Sequence, residues 1–583
     1  MIGLSRRKLL ISGVSIGIIL AAIIAVILIV SLGNNDSENE NTKNAALYHG
    51  VYKKAAVSTN GPECAHIGAS MLAKGGSAVD AAIAALLCEG VASLHSMGLG
   101  GGFLMTIWDA NTKTADYLDA REVAPGKADR DMFKGDPELA KYGGLAIAVP
   151  GELMGYWEAH RKYGKLAWSE LFEPTISLCE TGSIVTTYLH NYLHSKEEKI
   201  KKEKSLAEIL INPKTNTTWK QGDRIKRPQL KKTLQKIANL GPSIFYNGSI
   251  GDELVKEIKA FNGIIEKEDL RNYKVKWSKP INTTFGVFTM YTAPPPGSGA
   301  ILAFILNVLE GIIPSSNENV MWQNIVETFK WAYARRNELA DPDYTPPDYD
   351  IAALLANLTS MDYAKEIRHK IKIDKTSNDP EYYGAVTVTP NDSGTSHVSV
   401  LAPDGSAVSV TSTINQVLGA MIRSTSTGII FNDEMDDFSS PNMINGFDLP
   451  PSPVNYIKPG KRPMSSMSPT IILDDKGDVR LVIGAAGGTK IISAVAIATV
   501  LNLFSGYQIN HAVEALRLHH QLLPMKVENE RKFAPTVLSY LHSIGHNVST
   551  YGGIGSAVTA VAKQHGHIIA SSDFRREGKT AGF

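Results

Sequence analysis

The sequence predicts a layered fold of mixed helices and strands, in which helices cover a sheet core on both sides. Two observations lead to this prediction. Strand-like runs occur in pairs around turn signals, and helix-like runs rich in small and apolar residues lie between the pairs, without an obvious repeat. The expected fold class is therefore α+β.

The first half of the chain contains two predicted helices and two predicted strands. Residues 65–73 and 78–91 are rich in small and apolar residues, which favours helices. Residues 103–108 and 115–118 favour strands that flank a turn-prone dipeptide. The charged run KEEKIKKEKSL at 196–206 is expected to form the solvated face of a helix.

Strand signals are denser in the second half. Residues 396–401 and 406–413 alternate in polarity and flank Pro403-Asp404-Gly405, a strong turn signal, so we expect a β-hairpin. Two further strand pairs and two helices are expected. The strand pairs are 470–473 with 479–483 and 558–562 with 567–570, and the helices are 491–504 and 510–523.

Overall composition excludes several classes of protein. Hydrophobic residues make up 43% of the 583 residues and charged residues 20%, which is typical of neither a disordered chain nor a polytopic membrane protein. The 59 basic and 58 acidic residues leave a formal net charge of +1, which provides no general attraction for nucleic acid. Three cysteines without a CxxC or Cys/His spacing predict at most one disulfide and no zinc site. Small molecules are therefore the expected partners.

A membrane anchor is predicted at the N-terminus. A basic cluster at 6–8 precedes an uncharged apolar run, 9–32, which spans about 36 Å as a helix and can cross a hydrocarbon core of roughly 30 Å. The positive-inside rule places residues 1–8 in the cytoplasm and the rest outside, a single-pass type II arrangement at the plasma membrane. A cleaved signal peptide is the alternative, although its apolar core is usually only about 7–15 residues long. The polar, acidic residues 33–44 are expected to form a stalk.

Seven Asn-x-Ser/Thr sequons follow the anchor, and the predicted topology would expose them to glycosylation. Because such tripeptides are common by chance, they support an external location only weakly. They lie at Asn35, Asn216, Asn247, Asn282, Asn357, Asn391 and Asn547.

Several local motif matches are not expected to be functional. A GxSxG match at 13–17 lies inside the apolar anchor, where no strand-turn-helix context can form. The Gly-rich segments at 487–490 and 578–580 lack the GxxxxGK[ST] spacing of a phosphate loop. His519 and His520, on a predicted helix, would point about 100° apart and have no second pair of ligands. Neither nucleotide nor metal binding is predicted.

The segment before the predicted hairpin has the chemistry of a self-cleaving junction. Thr395 directly follows Gly394, which lacks a Cβ and tolerates the strained backbone that would let the threonine hydroxyl approach the preceding carbonyl. Cleavage would make Thr395 an N-terminal residue. Its α-amine, with an ordinary pKa of about 7.7–8.0, could then act as the general base for its own hydroxyl.

Further segments along the chain carry a specific resemblance. They are GSAVDAAIA (76–84), MGLGGG (97–102), DAREVAP (119–125), VPGE (149–152), DGSAVS (404–409), TSTIN (411–415), NDEMDDF (432–438), PMSSMSPT (463–470) and GAAGG (484–488). In this order they resemble the γ-glutamyltransferases, a membrane-anchored family of the N-terminal nucleophile hydrolase superfamily. The likeness covers nearly the whole chain after the stalk.

The resemblance implies a four-layer αββα sandwich made from one precursor that cuts itself between Gly394 and Thr395. The catalytic part of the large subunit would be residues 45–394 and the small subunit 395–583, tightly associated as a heterodimer. No metal or organic cofactor is implied. The implied activity is cleavage of the γ-glutamyl bond of glutathione and related donors, with transfer of the group to water or to an amino acid or dipeptide acceptor.

The same resemblance assigns the catalytic residues. Thr395 would be the nucleophile, with Thr413 hydrogen-bonded to it in support. The backbone N–H groups of Gly487 and Gly488 would form the oxyanion hole, because small residues permit a close backbone approach. His397, two residues after Thr395, is expected to face the same side of the strand and only to support packing.

The donor pocket must carry groups of both charges, because the free amino acid end of a γ-glutamyl donor presents a carboxylate and an ammonium. Both sets of groups are implied by the resemblance. Arg121, Ser465 and Ser466 would bind the carboxylate, and Asn415, Glu434 and Asp437 would receive the ammonium.

The resemblance leads to two further points. The usual Arg-Lys-Gly-Gly of the family reads Arg575-Arg576-Glu577-Gly578 here, so an arginine stands at the lysine position. The resemblance also suggests that Cys64 and Cys88 pair outside the cell, where oxidation is favoured, and that Cys179 is left free.

Two alternatives to this function remain. One is another N-terminal nucleophile acylase, against which the complete donor-pocket set argues. The other is a catalytically silent surface relative that acts as an interaction protein, against which the retention of Thr395, Thr413, Gly487 and Gly488 argues.

Overall fold

The computed structural model describes residues 48–387, 394–441 and 450–583. The predicted cytoplasmic tail, anchor and stalk, together residues 1–44, therefore lie outside the described residues, as do the GxSxG match and the sequons Asn35 and Asn391. Within the described ranges, no helix has both the length and the apolar character needed to cross a membrane.

The described residues contain strands of two to eight residues. In chain order they are β1 (His49–Tyr52), β2 (Ala56–Thr59), β3 (Gly102–Asp109), β4 (Thr114–Ala120), β5 (Ser183–Ile184), β6 (Ile211–Asn212), β7 (Thr217–Thr218), β8 (Arg224–Ile225), β9 (Lys276–Ser278), β10 (Ile281–Phe285), β11 (Phe288–Thr292), β12 (Ser396–Leu401), β13 (Ala407–Thr413), β14 (Thr470–Leu473), β15 (Val479–Ala486), β16 (Leu518–His519), β17 (Val527–Asn529), β18 (Val548–Thr550), β19 (Ala557–Gln564), β20 (His567–Ser572) and β21 (Lys579–Gly582).

The helices are mostly short. In chain order they are α1 (Cys64–Ala73), α2 (Ala78–Ala92), α3 (Pro137–Lys141), α4 (Glu152–Tyr163), α5 (Glu173–Thr181), α6 (Thr187–Ser195), α7 (Glu197–Lys202), α8 (Lys204–Leu210), α9 (Pro228–Leu240), α10 (Ser243–Tyr246), α11 (Ser249–Ala260), α12 (Lys267–Asn272), α13 (Gly299–Leu309), α14 (Glu318–Arg336), α15 (Ile351–Thr359), α16 (Met361–Lys370), α17 (Lys490–Leu503), α18 (Ile509–Glu514) and α19 (Pro535–Ser543).

Two seven-stranded sheets dominate the fold. The hairpin sheet has the order β21-β2-β12-β13-β3-β4-β9, and the opposing sheet has the order β1-β20-β19-β15-β14-β11-β10. Each sheet contains strands from before and after residue 395. The residues Gly50–Phe583 accordingly form one compact unit.

The two sheets pack face to face, and helices cover their outer faces. β12 and β13 contact β15, and β2 contacts β19 and β20. Helices α1, α2 and α4 pack on the hairpin sheet, whereas α13, α17 and α18 pack on the opposing sheet. This is the four-layer αββα order, and it confirms the α+β class.

The alternation of polarity in β12 reflects two different buried faces. Val398 and Val400 join the apolar cluster that includes α1 and α2. Ser399, between them, points toward the opposing sheet, where its Oγ donates to the carbonyl of Thr559 at 3.1 Å. In the hairpin register Ser396 lies opposite Ser412, so the predicted hairpin is confirmed and the segments before β12 and after β13 lie side by side.

Two predicted helices differ in the structure. The helix expected at 510–523 is wrong beyond Glu514, because Leu518–His519 instead pairs with β17 and the N–H of Arg517 donates to the carboxylate of Glu530. His519 therefore lies on a strand and not on a helix, where its Nδ1 shares a hydrogen bond with the Ser493 hydroxyl.

The charged run at 196–206 forms parts of two helices, α7 and α8, instead of one. Glu203 is extended between them, and its carboxylate accepts hydrogen bonds from the N–H and hydroxyl of Ser205. The run is not wholly solvated, because Ile200 and Leu206 are fully buried.

A disulfide joins the first two helices of the described chain. Cys64, at the start of α1, is bonded to Cys88 in α2, as the resemblance suggested. Cys179 is buried and free.

Candidate active site

The predicted cleavage junction has an unusual backbone. Gly394 has a φ of 116°, and a Cβ at this position would lie 1.9 Å from the carbonyl oxygen of Asn415, so only glycine fits. Thr395 has a φ of 81°, a left-handed conformation that costs a β-branched residue on the order of 1–3 kcal/mol. The backbone is thus strained at the bond that the sequence predicts to be cleaved.

The hydroxyls of Thr395 and Thr413 are adjacent. Oγ1 of Thr395 donates to Oγ1 of Thr413 at 3.3 Å, and the Thr413 oxygen also accepts from the N–H of Asn415 at 2.8 Å. Both threonine side chains are nearly inaccessible to solvent. The hairpin register brings them together, since Thr413 ends β13 and Thr395 immediately precedes β12.

Arg576, which sequence reasoning left out of the site, contacts the junction directly. Its Nη1 donates to the carbonyl of Thr395, and its Nη2 lies 3.4 Å from the carbonyl oxygen of Gly394. The guanidinium also lies 4.7 Å from the ring centroid of Tyr188. The residue at the family's lysine position therefore places a cation beside the carbonyl group of the predicted cleavage junction.

The predicted oxyanion-hole glycines lie in the turn between β15 and α17. Gly487 and Gly488 have φ values of 130° and 59°, and a Cβ on Gly487 would meet the carbonyl oxygen of Gly555 at 2.4 Å. The N-terminus of the 14-residue helix α17 follows directly and carries partial positive charge, which favours an anion. β15 lies across the sheet interface from β12 and β13, so this turn belongs to the same interface as the hairpin.

His397 supports this interface. Its Nδ1 shares a hydrogen bond with the Thr411 hydroxyl at 2.8 Å, and its ring lies against Gly484, where a Cβ would come within 2.1 Å of it. Burial lowers the pKa of His397 to about 3, so the imidazole is neutral. These contacts agree with the packing role expected from the sequence.

Three residues of the predicted donor pocket form a buried ion-pair cluster. Arg121 directly follows β4 and is fully buried, while Glu434 and Asp437 lie in one turn of 3-10 helix. Nη1 of Arg121 donates to Glu434 Oε1, and Nη2 donates to Asp437 Oδ2. The group expected to bind a carboxylate is thus paired with the groups expected to bind an ammonium.

The remaining predicted pocket residues make hydrogen bonds of their own. Asn415 donates through Nδ2 to the Asp433 carbonyl, and its buried Oδ1 has no hydrogen-bond partner among the described residues. Ser465 Oγ accepts from the N–H of Met467 at 3.2 Å. Ser466 Oγ accepts from Arg336 Nη2 at 2.6 Å.

The serine loop is tied to Arg121 through its backbone. Nε of Arg121 donates to the carbonyl of Pro463, and Nη2 donates to the carbonyl of Met464, both at 3.3 Å. The structure therefore brings the predicted carboxylate-binding residues to one place.

Burial controls the charges in this cluster. Burial raises the pKa of Glu434 to about 8, although the positive charge of Arg121 acts in the opposite direction. Burial likewise raises the pKa of the neighbouring Glu122 to about 8. Burial disfavours the charge of Arg121, but Glu434, Asp437 and Glu122 outweigh it and raise the pKa of the guanidinium, which stays charged. A ligand ammonium near Glu434 would favour its ionised form.

Two supporting residues were missed by sequence reasoning. Glu89 is fully buried in α2, and its carboxylate accepts from the Ser396 hydroxyl at 2.8 Å and from the N–H of Gly61. A lone glutamate near the end of an apolar helix was the available signal. Arg336, which holds Ser466, ends α14 and has no comparable signal in its local sequence.

Among the described residues, no cluster of His, Cys, Asp and Glu side chains could hold a metal ion.

Comparison with known proteins adds a family context. Residues 64–583 match the family model described as Gamma-glutamyltranspeptidase. The chain is 42% identical over 544 residues to Scoloptoxin SSD14 of Scolopendra dehaani, covering 92% of this chain and 93% of that protein. It is 37% identical over 538 residues to Glutathione hydrolase proenzyme 2 of Schizosaccharomyces pombe, covering 91% and 87%. The crystal structure of cephalosporin acylase from Bacillus halodurans matches with a TM-score of 0.79 at 21% identity, covering 92% and 97%, a likeness of fold alone.

Proposed function

Because the chain belongs to the gamma-glutamyltranspeptidase family, we propose that it cleaves the γ-glutamyl bond of glutathione and related γ-glutamyl compounds. The γ-glutamyl group passes to water or to an amino acid or dipeptide acceptor. The observation that carries this proposal is the Thr395–Thr413 hydroxyl pair at the strained Gly394-Thr395 bond. A pocket with groups for both a carboxylate and an ammonium accompanies it.

The first step is self-cleavage of the precursor. Oγ1 of Thr395 attacks the carbonyl carbon of Gly394, and the negative charge that develops on the carbonyl oxygen faces Arg576. Collapse breaks the C–N bond and leaves an ester between Gly394 and the Thr395 hydroxyl, with the proton on the α-amine. Water hydrolyses this ester, which gives the larger piece, residues 1–394, a C-terminal carboxylate and the smaller piece, residues 395–583, an N-terminal threonine.

The second reaction uses the amine that cleavage releases. The neutral α-amine of Thr395, with an ordinary pKa of about 7.7–8.0, takes the proton of Oγ1 as the oxygen attacks the donor's γ-carbonyl carbon. The N–H groups of Gly487 and Gly488 stabilise the oxyanion, and the leaving amine takes up the proton. A γ-glutamyl ester of Thr395 remains, and water or an acceptor amine then resolves it.

Donor recognition exchanges the internal ion pairs of the pocket. The donor carboxylate binds Arg121, and the donor ammonium binds Glu434, Asp437 and Asn415 Oδ1. The unpartnered Asn415 oxygen supports this assignment, because a buried acceptor without a partner costs free energy that an ammonium ligand would recover.

The proposed reaction is tested with a chromogenic γ-glutamyl anilide, with and without a dipeptide acceptor. Purified, cleaved protein should release the aniline, and the dipeptide should increase the release rate by resolving the ester faster than water does. Thr395→Ala should remain one chain and release none. An uncleaved Thr395→Ala protein that turned over the donor efficiently would refute the mechanism.

For the N-terminal residues, we propose a type II signal anchor at 9–32 with residues 1–8 in the cytoplasm. Five sequons lie within the described residues, and their asparagines (216, 247, 282, 357 and 547) are all exposed, which is compatible with glycosylation. Protease added to intact cells should remove the catalytic part, and glycosidase treatment should lower its apparent mass. Protection of the whole chain in intact cells would contradict this topology.

A further inference from the structure

One buried amide joins the two loops that carry the donor pocket. Asn455 lies in the 3-10 helix Pro453–Asn455 and is fully buried. Its Nδ2 donates to the backbone carbonyl of Asp437 at 2.8 Å, and its Oδ1 accepts from the backbone N–H of Met464 at 3.2 Å. A side-chain amide has both a donor and an acceptor end, so one asparagine can hold both backbones at once.

The two residues that Asn455 joins are also joined by Arg121. Nη2 of Arg121 donates to the Asp437 carboxylate and to the Met464 carbonyl. Asp437 belongs to the ammonium-binding half of the pocket, and Met464 directly precedes Ser465 in the carboxylate-binding half. The guanidinium and the amide therefore close a ring that sets the spacing between the two halves.

Asn455 is itself held from both sides. Nζ of the buried Lys461 donates to the carbonyl of Val454 at 2.6 Å and to the carbonyl of Tyr456 at 2.9 Å. The N–H of Ser439 donates to the carbonyl of Asn455 at 3.1 Å. A side chain on a backbone fixed at these points can hold its neighbours within the narrow limits that a two-point binding site needs.

We propose that Asn455 is a positioning residue, which fixes the distance between the subsite for the donor ammonium and the subsite for the donor carboxylate. This role rests on the proposed γ-glutamyl donor. A ligand held through both an ammonium and a carboxylate requires one spacing of the two subsites, whereas a ligand held through only one of these groups does not. Loss of Asn455 therefore selectively weakens ligands that carry both charged groups.

The test compares Asn455→Asp with a matched control. The aspartate has nearly the same shape and keeps an acceptor for Met464, but it presents an oxygen to the Asp437 carbonyl in place of a donor. Asn502→Asp makes the same change at another buried asparagine, which lies near the end of α17 and whose Nδ2 donates to the carbonyl of Tyr507 beyond the helix. Chain cleavage and thermal unfolding are measured for both variants.

Three ligands distinguish a role of Asn455 in positioning the two subsites from a general loss of the protein's ability to bind ligands. A γ-glutamyl anilide has both charged groups, a glutaryl anilide lacks the amine, and a 4-aminobutyryl anilide lacks the α-carboxylate. In cleaved Asn455→Asp, KM for the γ-glutamyl anilide should rise about tenfold while kcat changes by less than about threefold. The inhibition constants of the two anilides that carry a single charged group should change by less than about threefold. Asn502→Asp should alter the unfolding temperature without this selectivity.

Equal losses for all three ligands, or an unchanged KM in a cleaved and folded Asn455→Asp protein, would overturn the proposal. If Asn455→Asp does not accumulate, Asn455→Ser removes the same bridge without adding charge. The comparison of the three anilides in Asn455→Ser then tests the proposal. A wild-type enzyme inactive on the γ-glutamyl anilide would refute the proposed function and this inference with it. An active wild type with unselective Asn455 variants would refute only the inference.

Discussion

The fully buried guanidinium of Arg121 lies at the centre of the predicted donor pocket, where it is paired with the side chains of Glu434 and Asp437. Burying an ion pair contributes little net stability, because desolvation offsets most of the attraction, whereas removing one partner is strongly unfavourable. We therefore expect the Arg121 cluster to serve ligand binding more than stability. A donor with both charges can replace each internal partner without leaving a buried charge alone.

Arg121→Lys should reduce kcat/KM for a γ-glutamyl donor by roughly 10- to 150-fold. Lysine keeps the charge but loses the planar fork, and a hydrogen bond to a charged group contributes about 1.5–3 kcal/mol. Self-cleavage should survive, since it involves no donor carboxylate. Gel electrophoresis and steady-state assays check both points. An equal loss on a donor without the α-carboxylate, in fully cleaved enzyme, would show that Arg121 does not bind that group.

Arg576→Ala should slow self-cleavage, because it removes the cation beside the carbonyl oxygen that becomes negative in the tetrahedral intermediate. Loss of one charge-assisted contact predicts a decrease of roughly 10- to 150-fold in the cleavage rate. Arg576→Lys should retain part of the rate. A pulse-labelled precursor followed by denaturing electrophoresis measures it, with the exposed Arg531→Ala as the control. Normal cleavage of Arg576→Ala would exclude this role.

At the scale of the elements, short turns place the reacting groups. The hairpin puts Thr395 beside Thr413, and the β15–α17 turn presents Gly487 and Gly488 at a helix N-terminus. Gly394, just before the hairpin, and Gly487, in the β15–α17 turn, are glycines at positions where a Cβ would collide with a neighbouring carbonyl oxygen. On the outer face of the hairpin sheet, the disulfide holds α1 against α2.

Removing the disulfide should lower stability without removing the catalytic groups. Cys64→Ser with Cys88→Ser opens a cross-link of sequence separation 24, for which a loss of roughly 2–4 kcal/mol is expected. Thermal unfolding with and without reductant measures the effect, and Cys179→Ala, which leaves the bridge intact, is the control. Detection of alkylated Cys64 in a non-reduced digest of native enzyme would contradict the bridge.

At the scale of the whole molecule, both sheets are built from strands on either side of residue 395. In the hairpin sheet, β12 and β13 lie between β2 and β3, and in the opposing sheet β14 pairs with β11. Separating the two pieces would break these ladders and expose both buried sheet faces. Cleavage at one bond should therefore leave the architecture intact.

The cleaved pieces should elute together under native conditions and separate only on global unfolding. Size-exclusion chromatography in increasing guanidinium chloride, with circular dichroism on the same samples, measures both events. The physical reason is that each piece lacks strands that complete the other's sheets. Release of the small piece while the dichroism remained native would contradict this expectation.

Local pattern was sufficient for many elements. The alternation at 396–401 predicted β12 with its observed bounds, because a strand's side chains repeat every two residues. The strand pair around a turn signal predicted β14 at 470–473, also with its observed bounds. Local pattern failed beyond Glu514, because residues 518–519 pair with β17 and their backbone groups form hydrogen bonds between strands instead of within a helix. Competition between local and tertiary hydrogen bonds cannot be read from one segment.

The sequence by itself determined the α+β class and, through its ordered motifs, the family, and from these motifs it predicted the Gly394-Thr395 junction and the site residues. Only the tertiary structure decided which of these groups touch. Arg121 pairs with Glu434, which is 313 positions away in the sequence, and Arg576 contacts Thr395, which is 181 positions away. Asn455 joins two loops whose local sequences contain nothing that predicts this contact. The physical reason is range: periodicity and turn chemistry act over a few residues, whereas ion pairs and amide bridges depend on where the folded sheets bring distant residues.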